Sequence, residues 1–368
     1  MKIISVFNNK GGVGKSTLGY HLGCILAEMD KKILFIDLDP QCNLTIYGME
    51  EECLHDLWKE EDLFIDDFAE ATSKKELFDK IIKKPRSVHF LLKPAEDGLN
   101  EIDELPPPVS LYKNVDLIPG RLSIHKYENK IAERWSGAYQ SDNLSIRTIT
   151  NIRRICEAYS KERKYDYVII DTSPSLGILN KVIISTVDGF FVPAQPDMFS
   201  LYGIQNIGNS LEQWRIEFET IYKLISSEKR KKFPNKFVQF IGYTIYNAKK
   251  YTKDQNEYDL AKAHFSYAER IPLVIAKYIK EQNRIPIENW DKPIGDKAVM
   301  HTHNTFPAMS QALRCPMWKV PSTYSKKDKK FLEEHSIVVN NGSHNKYKGT
   351  KEKYKRFAKD FIERVEAI

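Results

Sequence analysis

The sequence contains little cysteine, and its cysteines form no recognisable pair. They are odd in number, and no two have the spacing of a C-x-x-C motif: Cys24, Cys42, Cys53, Cys156 and Cys315. We therefore expect neither a disulfide framework nor a structural zinc site. The segment Met1–Asn8 also has no features of a secretion signal, because it leads straight into a glycine-rich loop without a cleavage site. These absences predict a cytoplasmic location.

The chain also lacks any long hydrophobic run. No apolar stretch approaches the roughly 18 residues that a membrane-spanning helix requires, and the mean hydropathy is −0.47. An integral membrane protein is therefore excluded. Hydrophobic residues make up 42% and aromatic residues 11% of the 368 positions. These fractions are ordinary for a globular protein, so a mostly disordered chain is excluded as well.

Charge is distributed unevenly along the chain. Residues 1–220 contain 26 lysines and arginines against 34 acidic residues, a net charge of −8. Residues 221–368 contain 30 against 16, a net charge of +14. A basic C-terminal part favours a polyanionic partner such as nucleic acid or an acidic membrane surface. A lysine-rich surface that only maintains solubility is the alternative.

The first 40 residues have the pattern of a strand, a tight loop, a helix and a second strand. The apolar run Ile3–Phe7 precedes a glycine-rich loop, and apolar residues then recur at helical spacing from Leu18 onward. A second apolar run, Ile33–Ile36, ends in the acidic pair Asp37 and Asp39. This order is typical of a βαβ unit in a parallel sheet.

Further apolar runs predict more strands at 115–118, 167–171, 189–194 and 237–246, each near a helical pattern. We therefore predict an α/β fold with a doubly wound, mainly parallel sheet, formed by residues 1–368 as one domain. A largely helical insertion is expected at about 50–112, with a possible strand at Val88–Leu92. A basic, helical C-terminal region is expected at about 221–368.

The glycine-rich loop has the chemistry of a phosphate-binding loop. Its glycines let backbone N–H groups turn toward phosphate oxygens, and the following helix adds its N-terminal dipole. Lys15 is expected to reach the β- and γ-phosphates, and the Ser16 hydroxyl to bind Mg²⁺. The nucleotide-binding residues predicted here are Lys10, Gly11, Gly12, Val13, Gly14, Lys15, Ser16 and Thr17.

This loop resembles the deviant Walker A motif of the ParA/MinD superfamily of P-loop ATPases, in which Lys10 matches the additional signature lysine. The segment from Asp37 to Thr45 is similar to the family's first switch segment, D-x-D-P-Q-x-N-x-T. The segment from Tyr165 to Gly177 is similar to its Walker B and second switch segments. Cys42 and Ser173 depart from the family pattern without removing a catalytic group.

The resemblance implies roles for individual residues. Lys10 is expected to contact the nucleotide of a partner subunit, so that ATP binding and homodimer formation are coupled, and to act with Lys15 in catalysis. Asp39 is expected to orient the attacking water. The Mg²⁺ ligand set implied for the site is Ser16, Asp39 and Asp171, and the Asn247 amide is expected to contact the adenine edge.

Two features of the C-terminal region leave alternatives open. Lys249, Lys250 and Lys253 lie near tyrosines, a composition that suits a phosphate backbone, and ParA-like dimers bind DNA without sequence preference. A solvated lysine face is the alternative. The tail at 351–368 is an amphipathic helix that either packs its apolar stripe on the domain or anchors the protein to a membrane, as in the MinD branch.

The sequence is therefore interpreted as that of a ParA-like ATPase. It is expected to use ATP and Mg²⁺, to form a homodimer when ATP is bound, to bind DNA nonspecifically, and to be stimulated by a ParB-like or adaptor protein in partitioning or cargo positioning. A membrane interaction is not expected. The alternatives are a MinD-like positioning ATPase at a membrane surface and a nucleotide-gated subunit of a larger complex, for instance one of defence.

Overall fold

The computed structural model describes residues 1–334 and 337–368, and these contain one seven-stranded sheet. The strands are β1 (Lys2–Val6), β2 (Ile33–Asp37), β3 (Val109–Tyr112), β4 (Val115–Ile118), β5 (Tyr167–Asp171), β6 (Gly189–Ala194) and β7 (Gln239–Ile245). Their spatial order is β3-β4-β2-β5-β1-β6-β7, and only β3 is antiparallel to its neighbour. The prediction of an α/β, mainly parallel fold is confirmed.

Helices connect and cover the strands. The α-helices of the described residues are α1 (Lys15–Glu28), α2 (Asn43–Gly48), α3 (Glu51–Asp66), α4 (Phe68–Ser73), α5 (Lys75–Ile81), α6 (Val88–Glu96), α7 (His125–Tyr139), α8 (Asn143–Arg163), α9 (Ile178–Thr186), α10 (Met198–Leu224), α11 (Ser227–Arg230), α12 (Lys262–Ala268), α13 (Ile271–Tyr278), α14 (Phe306–Ala312), α15 (Val320–Tyr324), α16 (Lys329–Glu334) and α17 (His344–Glu366). Short 3₁₀ helices occur at Leu122–Ile124, Glu281–Asn283, Met317–Lys319 and Asn341–Ser343.

Both faces of the sheet are buried, as expected for parallel strands covered by helices. Successive residues of a strand point to opposite faces. In β1, Ile3 accordingly packs into one apolar cluster, whereas Ile4 and Val6 pack into the other. Apolar, β-branched runs therefore suit these central strands, which have no solvent-exposed face.

The insertion is helical, and the prediction of a strand at Val88–Leu92 is wrong. These residues begin α6, whose N-terminus is capped by Ser87, because the Ser87 hydroxyl accepts a hydrogen bond from the Phe90 N–H. The whole helix is buried against the rest of the insertion and α8. A short apolar run without polar alternation fits a buried helix as well as a buried strand, so the pattern alone could not distinguish them.

The C-terminal helix α17 packs its apolar stripe onto the sheet. Phe357, Phe361 and Val365 are buried, and the rings of Phe357 and Phe361 contact Phe191 of β6. The buried guanidinium of Arg364 donates hydrogen bonds to backbone carbonyls, including that of Ile241 in β7. The apolar residues that a membrane anchor would need are thus occupied within the fold. Among the described helices, none is both long and apolar enough to cross a bilayer.

Candidate nucleotide site

The carboxyl ends of three adjacent strands bring the predicted site residues together. In the sheet register, Asp171 at the end of β5 lies opposite Val6 of β1 on one side and Asp37 of β2 on the other. The phosphate loop follows β1 directly, and Asp39 follows β2. Ligands of open α/β sheets bind at this edge, where neighbouring strands connect in opposite directions.

The phosphate loop adopts a backbone that its glycines make possible. Gly12 and Gly14 have φ angles of 73° and 85°, in the left-handed region. A Cβ atom at Gly14 would also lie 2.5 Å from the ring of Tyr246, so a larger residue is excluded there. Gly14 caps α1 without a side-chain hydrogen bond, and the first turn of α1 contains no acidic residue. The first N–H groups of α1 are therefore available to an anion.

The loop lines a cavity of 340 Å³ at the start of α1. A triphosphate is suited to such a polar cleft with a helix N-terminus at its base. The cavity is lined by Gly11, Gly12, Val13, Gly14, Lys15, Ser16, Thr17, Asp39, Gln41, Asn43, Tyr47, Pro174 and Gln311. It thus unites Asp39 with every predicted loop residue except Lys10.

Lys15 is buried at the base of this cavity. Its ammonium group donates a hydrogen bond to the Asn8 carbonyl at 3.2 Å, and only 7% of the residue is exposed. Burial lowers the pKa of Lys15, against the opposing effect of the Asp171 and Asp39 carboxylates. A phosphate group would supply the negative charge that a buried ammonium requires.

Ser16 and Asp171 form the part of the site that fits a divalent cation. The Ser16 hydroxyl donates a 2.6 Å hydrogen bond to Oδ2 of Asp171, whereas Oδ1 is buried and has no partner within the described residues. Burial, with repulsion from Asp37, raises the pKa of Asp171 to about 8. A buried carboxylate oxygen without a partner, next to a serine hydroxyl, suits Mg²⁺, which prefers oxygen ligands.

The two acidic residues after β2 have different surroundings. Asp37 is fully buried, and its carboxylate accepts hydrogen bonds from the N–H and hydroxyl of Thr45 and from the Asp39 N–H. It therefore holds the segment between β2 and α2 in place. Asp39 lines the cavity, and one of its oxygens accepts the Gln41 N–H at 3.0 Å. Asp39 is thus the acidic residue of the pair that faces the nucleotide cavity.

Lys10 lies outside the cavity and points toward the start of α10. Its ammonium group forms an ion pair with Asp197 at 2.5 Å and a hydrogen bond to the Gln195 side chain at 2.8 Å. Lys10 retains 22% of its side-chain exposure. The signature lysine therefore does not point into the phosphate site of its own subunit.

The first 223 residues of the chain match the model of a known protein family. The family model AAA_31, described as an AAA domain, matches residues 1–223, which is more than half of the sequence. The chain belongs to this family of ParA/MinD-type ATPases. The matched part contains the phosphate loop, both acidic strand ends and Lys10.

Curated relatives of this ParA/MinD-type chain include partition proteins. An uncharacterized protein of Methanocaldococcus jannaschii is 31% identical over 58% of this chain and 66% of its own length. The sporulation initiation inhibitor protein Soj of Bacillus subtilis is 27% identical over 58% of this chain and 64% of its own length. The chromosome partitioning protein ParA of Caulobacter vibrioides is 24% identical over 72% of this chain and 77% of its own length. The matched region thus spans slightly less than two thirds of the length of the first two relatives.

Solved structures share the fold across nearly the whole chain. The structure of pNOB8 ParA is 16% identical, with a TM-score of 0.56, and covers 99% of this chain and 98% of its own. The structure of pNOB8 ParA bound to nonspecific DNA is 17% identical, with a TM-score of 0.53 and the same coverage. The ATP complex of an McdA variant from Cyanothece is 17% identical, with a TM-score of 0.53, and covers 92% of this chain and 98% of its own.

Asn247 is not part of the cavity lining of this ParA/MinD-type chain. It follows β7, is exposed, and has a left-handed φ of 60°. Its contact with adenine stays a prediction. The neighbouring Tyr246, which was not among the predicted site residues, packs against Gly14 instead.

Several residues that line the cavity were not predicted as site residues. Gln41 and Asn43 belong to the first switch segment, so the D-x-D-P-Q-x-N pattern could have indicated them. Tyr47 follows in α2, where its hydroxyl lies 3.1 Å from the Thr17 hydroxyl. Gln311 comes from α14, far from any motif in the sequence, and no local pattern could have indicated it.

Proposed function

We propose that this chain is an ATP-hydrolysing switch of the ParA type. ATP binding with Mg²⁺ closes a homodimer, the dimer binds DNA without sequence preference, and hydrolysis opens it. An activating partner protein, ParB-like or an adaptor, stimulates hydrolysis during DNA partitioning or cargo positioning. The observation that carries this proposal is the convergence of Lys15, Ser16, Asp171 and Asp39 at one phosphate-binding cavity.

Each of these residues has a distinct task in phosphoryl transfer. Lys15 and the N–H groups of α1 neutralise the β- and γ-phosphates. Ser16 and Asp171 would hold Mg²⁺, which would supply positive charge against the negative charge of the phosphates. The Asp39 carboxylate accepts a hydrogen bond from the attacking water and orients it toward the γ-phosphorus. The arrangement therefore accounts for hydrolysis without a covalent enzyme intermediate.

The surroundings of Lys10 support a dimer in which this residue acts on the partner's nucleotide. Beside its ion pair with Asp197, the first turns of α10 expose Met198, Phe199 and Tyr202, which are 45%, 67% and 56% exposed. Three large apolar side chains exposed together mark an interaction surface. A second copy that covered this surface would also bring its phosphates toward Lys10.

Replacing Lys10 with alanine is expected to abolish ATP-dependent dimerisation. The affinity of a single subunit for ATP should remain within about threefold of wild type, because Lys10 lies outside the nucleotide cavity of its own subunit. Light scattering with and without ATP measures the dimer, and titration with a fluorescent ATP analogue measures binding. Lys223, an exposed lysine near the end of α10, provides the matched control in Lys223→Ala. A Lys10→Ala protein that dimerises with ATP like wild type would refute the role of Lys10.

The C-terminal region offers a cationic surface for DNA. Lys249, Lys250 and Lys253 are exposed after β7. The pKa of Lys353 in α17 is lowered, mainly by burial and additionally by repulsion from Lys250, so these two lysines lie near each other. Lys250 is 3.7 Å from Asp259, which neutralises part of this charge. Nonspecific binding depends on such contacts to phosphates. The DNA complex of pNOB8 ParA, which has the same fold, also supports the proposal.

Replacing Lys249, Lys250 and Lys253 together with glutamate is expected to weaken DNA binding at least tenfold and equally for unrelated sequences, since phosphate contacts are lost. Fluorescence anisotropy with two unrelated duplexes across a salt series measures this effect, and the salt dependence should become shallower. The same change of charge at Lys75, Lys80 and Lys83, which are exposed in the insertion, is the control. Equal losses in both triple variants would contradict a specific DNA surface after β7.

A further inference from the structure

Helix α14 forms part of the wall of the nucleotide cavity, although it lies outside the part of the chain that the family model matches. The match ends at residue 223, whereas α14 spans Phe306–Ala312. Gln311 of this helix lines the cavity together with Thr17 and Tyr47. The C-terminal region therefore reaches the phosphate loop directly.

A buried histidine fixes α14 against the helix that follows the phosphate loop. Nδ1 of His21 lies 2.7 Å from the Thr17 carbonyl, and Nε2 accepts the Met317 N–H at 3.1 Å. Burial lowers the pKa of His21 to about 3, so the ring is neutral. Because the Thr17 carbonyl can only accept, the single proton is on Nδ1. The ring therefore has one orientation and one tautomer, and it joins α1 to the segment after α14.

Contacts of the residues around Gln311 hold its helix in position. The hydroxyl of the preceding residue, Ser310, lies 2.6 Å from the Cys315 carbonyl and 3.1 Å from Nε2 of His21, two acceptors that compete for its single proton. Arg314 forms a 3.0 Å ion pair with Glu50, which precedes α3. α14 is thus tied both to α1 and to the residues that follow α2. The backbone of its last turn, which carries Gln311, is consequently held beside the cavity.

The Gln311 side chain is polar, half-buried and, in the part of the chain that the structure describes, makes no hydrogen bond. Its carboxamide can both donate and accept hydrogen bonds. Lys15 and Ser16 mark the end of the cavity that receives the β- and γ-phosphates. Thr17 comes after Lys15 and Ser16 in α1, its hydroxyl lies 3.1 Å from that of Tyr47, and α14 packs against α2, the helix that carries Tyr47. The α-phosphate and ribose of a bound nucleotide are therefore expected on this side of the cavity.

We propose that Gln311 hydrogen-bonds the ribose and α-phosphate end of the bound nucleotide and so makes α14 part of the nucleotide site. This inference rests on the proposed function, because it requires a nucleoside triphosphate in the cavity. It assigns the C-terminal region a role in selecting a nucleotide over a bare polyphosphate. Gln311 is a binding residue in this proposal and takes no part in the chemical step.

Substitution of Gln311 by alanine tests the proposal through two ligands. The expected result is an approximately fivefold weaker affinity for ATP, as for the loss of one or two hydrogen bonds, with an unchanged affinity for inorganic triphosphate. Isothermal titration of both ligands, with Mg²⁺ present, measures the two affinities. Gln311→Glu keeps the shape but places a negative charge beside the α-phosphate, so ATP should bind still more weakly to this variant. The melting temperature of each protein without ligand should match wild type, because Gln311 makes no internal hydrogen bond.

The outcomes separate this inference from the function on which it rests. Unchanged ATP affinity in both variants would overturn the inference. An equal loss of affinity for ATP and for triphosphate would also overturn it, because Gln311 would then contact the β- and γ-phosphates or have only a structural role. In each of these cases wild-type protein still binds ATP, and the proposed function stands. The inference would also be overturned if wild-type protein bound triphosphate and ATP with the same affinity, because the nucleoside would then contribute nothing to binding. If wild type binds neither ligand, the proposed function fails and the inference falls with it.

Discussion

Replacement of Asp39 by alanine is expected to lower the rate of ATP turnover at least about 100-fold while ATP binding is retained, because the change removes the group that orients water but leaves the phosphate contacts intact. Asp39 lines the cavity, and its Oδ1 is fixed by the Gln41 N–H at 3.0 Å. Steady-state phosphate release measures turnover. Because hydrolysis opens the proposed dimer, the variant should also remain dimeric in ATP, which light scattering measures over time.

Asp37 provides the comparison that makes this result specific. Asp37 is fully buried and accepts hydrogen bonds from Thr45 and from the Asp39 N–H. Its replacement by alanine should lower the melting temperature, since buried donors lose their acceptor, whereas Asp39→Ala should lower it less, because only the N–H of the exposed residue Gln41 loses its acceptor. Asp56, an exposed residue of α3, serves as the neutral control in Asp56→Ala. Wild-type turnover in Asp39→Ala would move the catalytic role to another residue.

The central site could be predicted from the sequence because its information is local. The strand β1, the glycines and the start of α1 are consecutive, so periodicity and glycine spacing indicate both the loop and its ligand. Asp171 ends the buried apolar run of β5, and parallel packing brings strand ends to one edge. The structure places Ser16 and Asp171, 155 residues apart, within 2.6 Å of each other.

The remaining features depend on contacts that no local pattern encodes. The partner of Lys10 in its own subunit is Asp197, which lies 187 residues away. The place of α14 depends on a histidine in α1 that contacts Ser310 from 289 residues away. The strand prediction for Val88–Leu92, the first residues of α6, is wrong because a short apolar run has no distinguishing period when all its sides are buried. Tertiary packing decided each of these cases.

The replacement of Asp171 by asparagine is expected to have opposite effects on the protein with and without nucleotide. Asp171 is buried, and burial with repulsion from Asp37 raises its pKa to about 8. In the unfolded chain the pKa of this carboxyl is near its ordinary value of 3.8. The folded state therefore binds the proton more tightly than the unfolded state does. The resulting contribution to stability is complete below about pH 4 and is lost as the pH rises through about 8.

Without nucleotide, the Asp171→Asn protein should consequently exceed wild type in stability by about 2 kcal/mol at pH 8, the order of cost for burying an unpaired polar group, and the difference should shrink toward pH 5. Thermal denaturation across this range measures it, with exposed Asp56→Asn as the control. With ATP and Mg²⁺ present, wild type should be more stable than the variant, because binding of the ligands stabilises wild type. The variant lacks the Asp171 carboxylate that would bind Mg²⁺ and should gain less. Parallel pH profiles for wild type and variant would contradict the raised pKa, whereas equal stabilisation by ATP and Mg²⁺ would contradict the metal site. A functional residue is expected to behave in this way: it destabilises the protein without ligand and contributes to stability only when the ligand is bound.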